Sequence, residues 1–305
     1  YFGNLFIARD RMGVKPFFYS IKQGIFIFAS EIKALLLHPS VKPEIDENGI
    51  AELMLIGPGR TPGCGVFRDL FELKPGCCGF YSKSGLSLRK YWSLEGAEHS
   101  DSFTATIEKT RELVIDSIRR QLVSDVPLCT FMSGGLDSSI ISAAAQSKYS
   151  SEGKKLSTFS VDYLENEKHF KSSLFQPEAD SEYIKQMQAF LDSEHRNILL
   201  DNSALANALY AAVDARDLPG LADVDSSLLL FCEKVKEHAT VALSGECADE
   251  IFGGYPWFTN RSITNSAEFP WARSTLYRAS FLNEQWREKI DAQEYVTTRY
   301  TDCVK

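Results

Sequence analysis

Ser133-Gly134-Gly135-Leu136-Asp137-Ser138-Ser139 is the run that decides the reading of this chain. It follows an apolar stretch at 126–132 and leads into 138–148, which has the composition of a helix. A glycine pair between a buried strand and a helix lets the backbone approach an anion closely. The unpaired N–H groups of the first helical turn, at the positive end of the helix dipole, can then hold it. In an open parallel sheet such a crevice lies beyond the carboxyl ends of the strands. Ser133, Ser138 and Ser139 add hydroxyl donors. Asp137 would repel a phosphate and makes sense when a magnesium ion lies between the two. No lysine follows the glycines, so this is not a GxxxxGK[ST] loop, and transfer of a γ-phosphoryl group is not expected.

Around that run, strand and helix patterns alternate. Residues 126–132, 156–161, 197–200 and 240–243 read as strands, and 138–148, 181–191, 205–213 and 226–237 as helices. The alternation implies an α/β fold, a doubly wound parallel sheet covered on both faces. Residues 103–123 carry Ile107, Val114, Ile115, Ile118 and Leu122 at helical spacing. The polar stretch 95–102 reads as a linker and 165–180 as a mobile loop. Before the linker the chain is β-rich. Short strands are expected at 5–9, 16–21 and 24–29, and helices at 31–37 and at 47–55 behind Asp46. Residues 71–82 and 86–92 read as a hairpin, with Lys74-Pro75-Gly76 as a turn. The domain boundaries expected are therefore 1–95 and 96–305.

A second strand end carries Ser244-Gly245-Glu246-Cys247-Ala248-Asp249-Glu250, followed by Gly253-Gly254-Tyr255. Hard oxygen ligands suit a metal bound to phosphates, and a carboxylate near a nucleophile suits proton transfer. A single acidic cluster is often just a solvated helix start, because acids favour helix N-termini. Two Ser-Gly loops at two strand ends of one sheet are harder to explain that way.

Bulk properties narrow the partners. The formal net charge of -8 disfavours a nucleic-acid partner, which wants a basic face. No apolar run is long enough to cross a bilayer, so no membrane is expected. The seven cysteines form no CxxC pair and no cluster with zinc-ligand spacing. They read as reduced thiols of a cytoplasmic protein. The chain starts at Tyr1 and enters a strand-like run at once, so the expectation is a piece cut from within a domain.

Together the motifs resemble asparagine synthetase over nearly the whole chain. SGGLDSS is similar to the pyrophosphate-binding loop of the ATP pyrophosphatase (PP-loop) family, and SGECADEIFGGY to that family's second signature. The runs 215–220 and 222–227 resemble its substrate-side loop. Residues 8–17 and 29–35 resemble the last strands of a class II, N-terminal-nucleophile glutaminase domain, and Lys74-Pro75-Gly76 through Tyr91-Trp92 the exit from it.

The resemblance implies amidation of aspartate through a β-aspartyl-AMP intermediate. ATP and Mg2+ are consumed or required, AMP and pyrophosphate are released, and ammonia comes from glutamine. It implies that Ser133, Gly134, Gly135, Asp137, Ser138 and Ser139 hold the pyrophosphate, with Asp137 and Asp249 as metal ligands. Phe131 and Val161 would meet the adenosine, Ser244 and Gly245 would lie against the nucleotide, and Glu246 would be the catalytic carboxylate. The family's nucleophilic cysteine opens the mature chain, where this sequence has Tyr1, and the family continues beyond Lys305. The expectation is that the chain as it stands does not hydrolyse glutamine.

The family usually has glycine at position 247. Cysteine there leads to the expectation of a negative φ and a thiol packed into protein, away from the phosphates. Several readings stay open beside the main one. They are a related synthetase such as a β-lactam-forming enzyme, a nucleotide-binding module without catalysis, and a scaffolding remnant. Self-association as a homodimer is also open.

Overall fold

The computed structural model describes residues 3–172, 178–260, 269–272 and 274–304. They form two compact units. One combines Tyr1–Ala97 with Val213–Leu221 and Asn265–Lys305, and the other combines Glu98–Ala212 with Ala222–Thr264.

The first unit holds β1 (Leu5–Ala8), β2 (Phe18–Lys22), β3 (Ile25–Ala29), α1 (Ile32–Leu36), α2 (Glu47–Ala51), β4 (Leu70–Glu72), β5 (Cys77–Ser82) and β6 (Gly85–Lys90). These strands build two antiparallel sheets, in the orders β1-β5-β6 and β3-β2-β4. The stretch 71–82, read as part of a hairpin with a turn at Lys74-Pro75-Gly76, thus supplies strands to two different sheets. The change falls at Lys74-Pro75-Gly76, because Pro75 has no N–H to continue a ladder. Leu73 N–H still reaches Phe17 O at 3.0 Å or less (2.8 Å), while Gly76 N–H turns to Asp10 O at 3.0 Å.

Asp46 caps α2 as its position foretells, its side chain accepting from Gly49 N–H at 3.1 Å. The helix then widens into a π-helical turn, Glu52–Ile56. That turn carries Glu52 into the interior, where it is fully buried. Its carboxylate accepts from Thr61 N–H (2.8 Å), Thr61 Oγ1 (2.7 Å) and Tyr295 OH (2.8 Å), and pairs with Arg299 Nε at 3.2 Å. Leu55 and Ile56 pack with Phe269, Ala272, Leu282 and Val296, bringing the C-terminal helices Thr275–Ala279, Glu284–Lys289 and Ala292–Val304 onto the same core.

The second unit opens with α3 (Phe103–Gln121). There follow β7 (Leu128–Phe131), α4 (Leu136–Ser151), β8 (Ser157–Tyr163), α5 (Asn166–His169), α6 (Asp180–Phe190), β9 (Glu194–Leu200), α7 (Asn202–Arg216, whose end from Val213 on belongs to the first unit) and α8 (Ala222–Lys236). The last elements are β10 (Val241–Leu243), α9 (Ala248–Phe252) and α10 (Pro256–Thr259). The four strands are parallel, in the order β10-β7-β8-β9. Side chains alternate across β7 as a strand period of two requires. Leu128 packs with Ile118, Ala145 and Leu156 on the α3–α4 side, and Thr130 Oγ1 meets Ser142 Oγ of α4 at 2.8 Å. Cys129 and Phe131 pack on the opposite side with Phe159, Phe231 and Val235, the latter two from α8. Both faces are covered, so the sheet is doubly wound.

Strand β9 starts three residues before the expected 197. Its polar start was not legible as a strand, but His195 is satisfied within the sheet. Its ring nitrogens meet Thr158 Oγ1 at 2.9 Å and Ser160 Oγ at 3.0 Å across β8. Within the polar stretch 165–180, Asn166–His169 is helical, and residues 173–177 lie outside the described residues. All seven cysteines are free; Cys129 is buried, whereas Cys232 is exposed despite its apolar neighbours in sequence. Among the described residues, no helix is long and apolar enough to cross a membrane.

Candidate active site

From β7 the chain runs on to β8 and β9 on one side, and β10 joins β7 on the other. The order reverses between β7 and β10, and at such a switch point a crevice opens beyond the strand ends. The two Ser-Gly loops leave these two strands, which pair with Leu243 opposite Thr130. They touch: a Cβ at Gly245 would lie 3.0 Å from Asp137 Cβ and 3.1 Å from Ser138 N. Phe131, Ser133, Gly135, Asp137, Ser138, Val161, Ser244, Gly245, Glu246 and Asp249 all line one cavity of about 470 Å³.

Gly134 and Ser139 are not part of that lining. Gly134 has φ +82°, and a Cβ there would lie 2.6 Å from Tyr183 Cβ and 2.9 Å from Ile184 N of α6. Its place in the loop is explained by backbone shape and by close packing on α6. Ser139 N–H is the ordinary helical donor to Gly135 O at 3.1 Å. Ser138 is buried and organises the loop. Its hydroxyl donates to Gly135 O (3.2 Å), accepts from Ser133 N–H (3.2 Å) and meets Ser133 Oγ at 3.0 Å. Gly135, the N-cap of α4, makes no side-chain cap. The first-turn N–H groups of α4 are therefore uncapped by side chains, the arrangement that suits an anion.

Apart from Cys247, Tyr163 and Tyr255, the ionisable residues described as lining the cavity are acidic: Asp137, Asp180, Glu246 and Asp249. Among the described lining residues there is no lysine, arginine or histidine. Asp249 Oδ1 occupies the space where a Cβ of residue 254 would stand, so Gly254 makes room for the carboxylate. Tyr255 stacks on Trp257 at 4.3 Å and donates to Glu250 Oε1 at 3.1 Å. Burial, with the acidic neighbours, pushes its phenol up to about 12, so it stays neutral and a donor at any physiological pH.

Cys247 departs from expectation. Its φ is +71° and its side chain is exposed at the edge of the cavity, where a negative φ and a buried thiol were expected. The turn from β10 into α9 places Cys247 at the N-cap in the left-handed region, where a side chain is uncommon. The strain is carried, and the thiol faces solvent.

Several lining residues were not legible as site residues. Phe159 and Phe231 give the cavity an apolar wall, with Phe231 edge-on to Phe131 at 4.8 Å. Their spacing says only that they are core. Tyr163 OH meets Ser227 Oγ at 2.8 Å and ties β8 to α8 beside the cavity. Of the acidic run 217–225, Asp217 goes elsewhere. Its Oδ2 accepts from Ile32 N–H at 2.6 Å and its Oδ1 pairs with Lys33 at 3.0 Å, capping α1 in the first unit. That pairing, with Glu31, also raises the Lys33 pKa.

Residues 109–304 match the family model described as asparagine synthase. The chain belongs to the asparagine synthase family. Residues 2–92 match a glutamine amidotransferase domain. Asparagine synthetase [glutamine-hydrolyzing] 3 of Bacillus subtilis (strain 168) is 48% identical over 301 residues, 98% of this chain and 49% of that protein. A putative asparagine synthetase [glutamine-hydrolyzing] 2 of Methanocaldococcus jannaschii is 27% identical, over 83% of this chain and 47% of its own length. Asparagine synthetase [glutamine-hydrolyzing] 1 of Bacillus subtilis is 30% identical, over 82% and 37%. The chain thus spans about half the length, or less, of the curated family members it matches.

Proposed function

We propose that the crevice between β7 and β10 binds ATP with magnesium and that the protein makes asparagine from aspartate. The nitrogen is ammonia released from glutamine. Residues 1–95 would be the end of the class II amidotransferase domain, and 96–305 the synthetase domain, acting in the cytoplasm. The observation that carries this reading is the meeting of the two Ser-Gly loops at the switch point, Gly245 against Asp137 and Ser138. Phosphate-binding backbone and acidic loop thereby share one cavity with an apolar wall fit for a base.

In this reading an oxygen of the aspartate side-chain carboxylate attacks the α-phosphorus of ATP. Pyrophosphate leaves, and a β-aspartyl-AMP mixed anhydride forms. Ammonia then attacks the acyl carbon, AMP leaves, and the surplus proton passes to a carboxylate, for which Glu246 is the candidate. The uncapped N–H groups of α4 and the Ser133 hydroxyl face the leaving pyrophosphate, whose charge grows as the bond breaks. Phe131, Phe159, Val161 and Phe231 wall the adenosine end.

A hard divalent cation fits the donor set. Magnesium keeps several waters and takes one or two carboxylates plus phosphate oxygens, so Asp137 and Asp249 suffice as its protein ligands. A polyphosphate facing the four carboxylates that line this cavity needs such a counter-charge. When bound, the ion would neutralise the pyrophosphate.

The test is ATP–pyrophosphate exchange with L-aspartate. Exchange should depend on aspartate, and Asp137→Asn should reduce it by orders of magnitude while leaving the melting temperature near that of the parent. Exchange at the parental rate in Asp137→Asn, or exchange indifferent to aspartate, would overturn the reading.

A further inference from the structure

A second cavity, of about 230 Å³, lies wholly within the first unit, beside the π-helical turn. Arg60, Arg216 and Arg278 line it, and among the described residues no aspartate or glutamate does. The rest of its described wall is Gly57-Pro58-Gly59, Pro219-Gly220 and the leucines Leu53, Leu218 and Leu221. We infer that this cavity is a binding site for a compact oxyanion, distinct from the crevice at Asp137.

The charges carry the argument. Arg60 and Arg278 are half-buried, and among the described residues their hydrogen bonds go to backbone carbonyls. Arg278 Nη1 donates to Gly57 O at 2.8 Å and Nη2 to Trp271 O at 3.4 Å. Arg60 Nη1 reaches Cys64 O at 3.5 Å, and its guanidinium rests over the Phe18 ring at 5.4 Å. Each guanidinium has five N–H donors in a planar fork shaped for carboxylate or phosphate oxygens. Neither Arg60 nor Arg278 has a carboxylate partner among the described residues. Holding such cations half out of water on an apolar wall is costly unless a counter-charge arrives.

The geometry is set before any ligand binds. Gly57 N–H donates to Glu52 O at 3.2 Å, and Thr61 is fastened twice to the Glu52 carboxylate, at 2.8 and 2.7 Å. The loop 57–61 is thus tied at both ends to one buried residue, itself held by Tyr295 and Arg299. Arg278 also holds the first end of the loop, through Gly57 O. Little side-chain or loop ordering remains to be done on binding. A Cβ at Gly59 would meet nothing within 4 Å, so the rim is open at that point. The volume admits a phosphate or an amino acid with two carboxylates and is about half that of the crevice. Phosphate and carboxylate share the chemistry that a pair of guanidinium forks recognises.

The two sources separate by calorimetry on the whole protein, with inorganic phosphate in one titration and L-glutamate in another, and sodium chloride holding the ionic strength equal. At least one anion should bind saturably, with one site per chain. Arg60→Gln and Arg278→Gln should each weaken it tenfold or more, since hydrogen bonds to charged groups are worth at least that factor. Arg278→Gln also frees Gly57 O, so Arg278→Lys is the companion variant: it keeps the charge and should restore part of the affinity. Thermal melts of each variant report that the fold is intact. No saturation by either anion below about 10 mM would overturn the inference. So would binding that persists unchanged in both glutamine variants, which would place the anion elsewhere. Neither outcome bears on ATP–pyrophosphate exchange.

Discussion

Gly134→Ala tests the packing that shapes the phosphate loop. The residue sits at φ +82°, where an L side chain is strained by about 1–2 kcal/mol. The new methyl would lie 2.6 Å from Tyr183 Cβ, 2.9 Å from Ile184 N and 3.0 Å from Tyr183 C. These are backbone and Cβ atoms of α6, none of them the end of a flexible side chain, so the loop or the helix must shift. Overpacking of this kind costs about 1–3 kcal/mol. Together the loss is about 2–5 kcal/mol, against a total stability of about 5–15 kcal/mol for an ordinary domain. Urea unfolding followed by far-ultraviolet circular dichroism should show a lower midpoint at an unchanged slope. Gly96→Ala is the control, because a Cβ there meets nothing within 4 Å and its φ is not in the left-handed region. A Gly134→Ala loss under about 0.5 kcal/mol, the ordinary range for a surface change, would refute the claim that α6 closes against this loop.

Other outcomes follow from the same geometry. Cys247→Gly should stabilise the chain by about 1 kcal/mol, by relieving a left-handed cysteine, and Cys247→Val should do the reverse; urea midpoints read both. Glu52→Ala should cost about 3–5 kcal/mol, because it strands Arg299, Tyr295 and Thr61 around a buried void, and Glu52→Gln should cost less. Burial pushes the Cys129 thiol up to about 11 from 9.0, so at pH 8 a thiol reagent should label Cys247 quickly and Cys129 only on unfolding. The folded chain holds that proton more tightly than the unfolded one. Its contribution to stability is therefore whole below pH 9 and is lost as pH rises toward 11, a slope that Cys129→Ala should flatten.

The parallel sheet was legible because its strands are short apolar runs between helical patterns, and a central strand has no other reading. Both Ser-Gly loops were legible for the same reason: turn chemistry directly after such a run is rare. What escaped was set by tertiary contact. The start of β9 is polar; it pairs with β8, where Thr158 and Ser160 satisfy the His195 ring. The turn at Lys74-Pro75-Gly76 was legible, but the sheet change there depends on which partners await the strands on either side. The helix expected over 47–55 turns π-helical at Glu52, whose partners Tyr295 and Arg299 stand at the far end of the chain. At Cys247 the sign of φ is imposed by the loop, and nothing in the side chain announces it. In the aromatic wall of the crevice, Phe131 was legible only through the family resemblance, while the spacing of Phe159 and Phe231 does not set them apart from core residues.

The neighbour relation of β10 and β7 also orders events during synthesis. In sequence the two strands are separated by β8, β9 and helices α4 to α8. A ribosome therefore exposes β7, β8 and β9 early, and these can pair as they emerge, while one edge of β7 stays open until Val241–Leu243 arrives. The contact of Gly245 with Asp137 is among the last of the unit to form, and it carries the loop-closure cost of everything between. The nascent chain would accordingly pass through a stage with a formed glycine loop, a bare strand edge and no acidic partner. That is the stage at which aggregation, and help from chaperones, is to be expected.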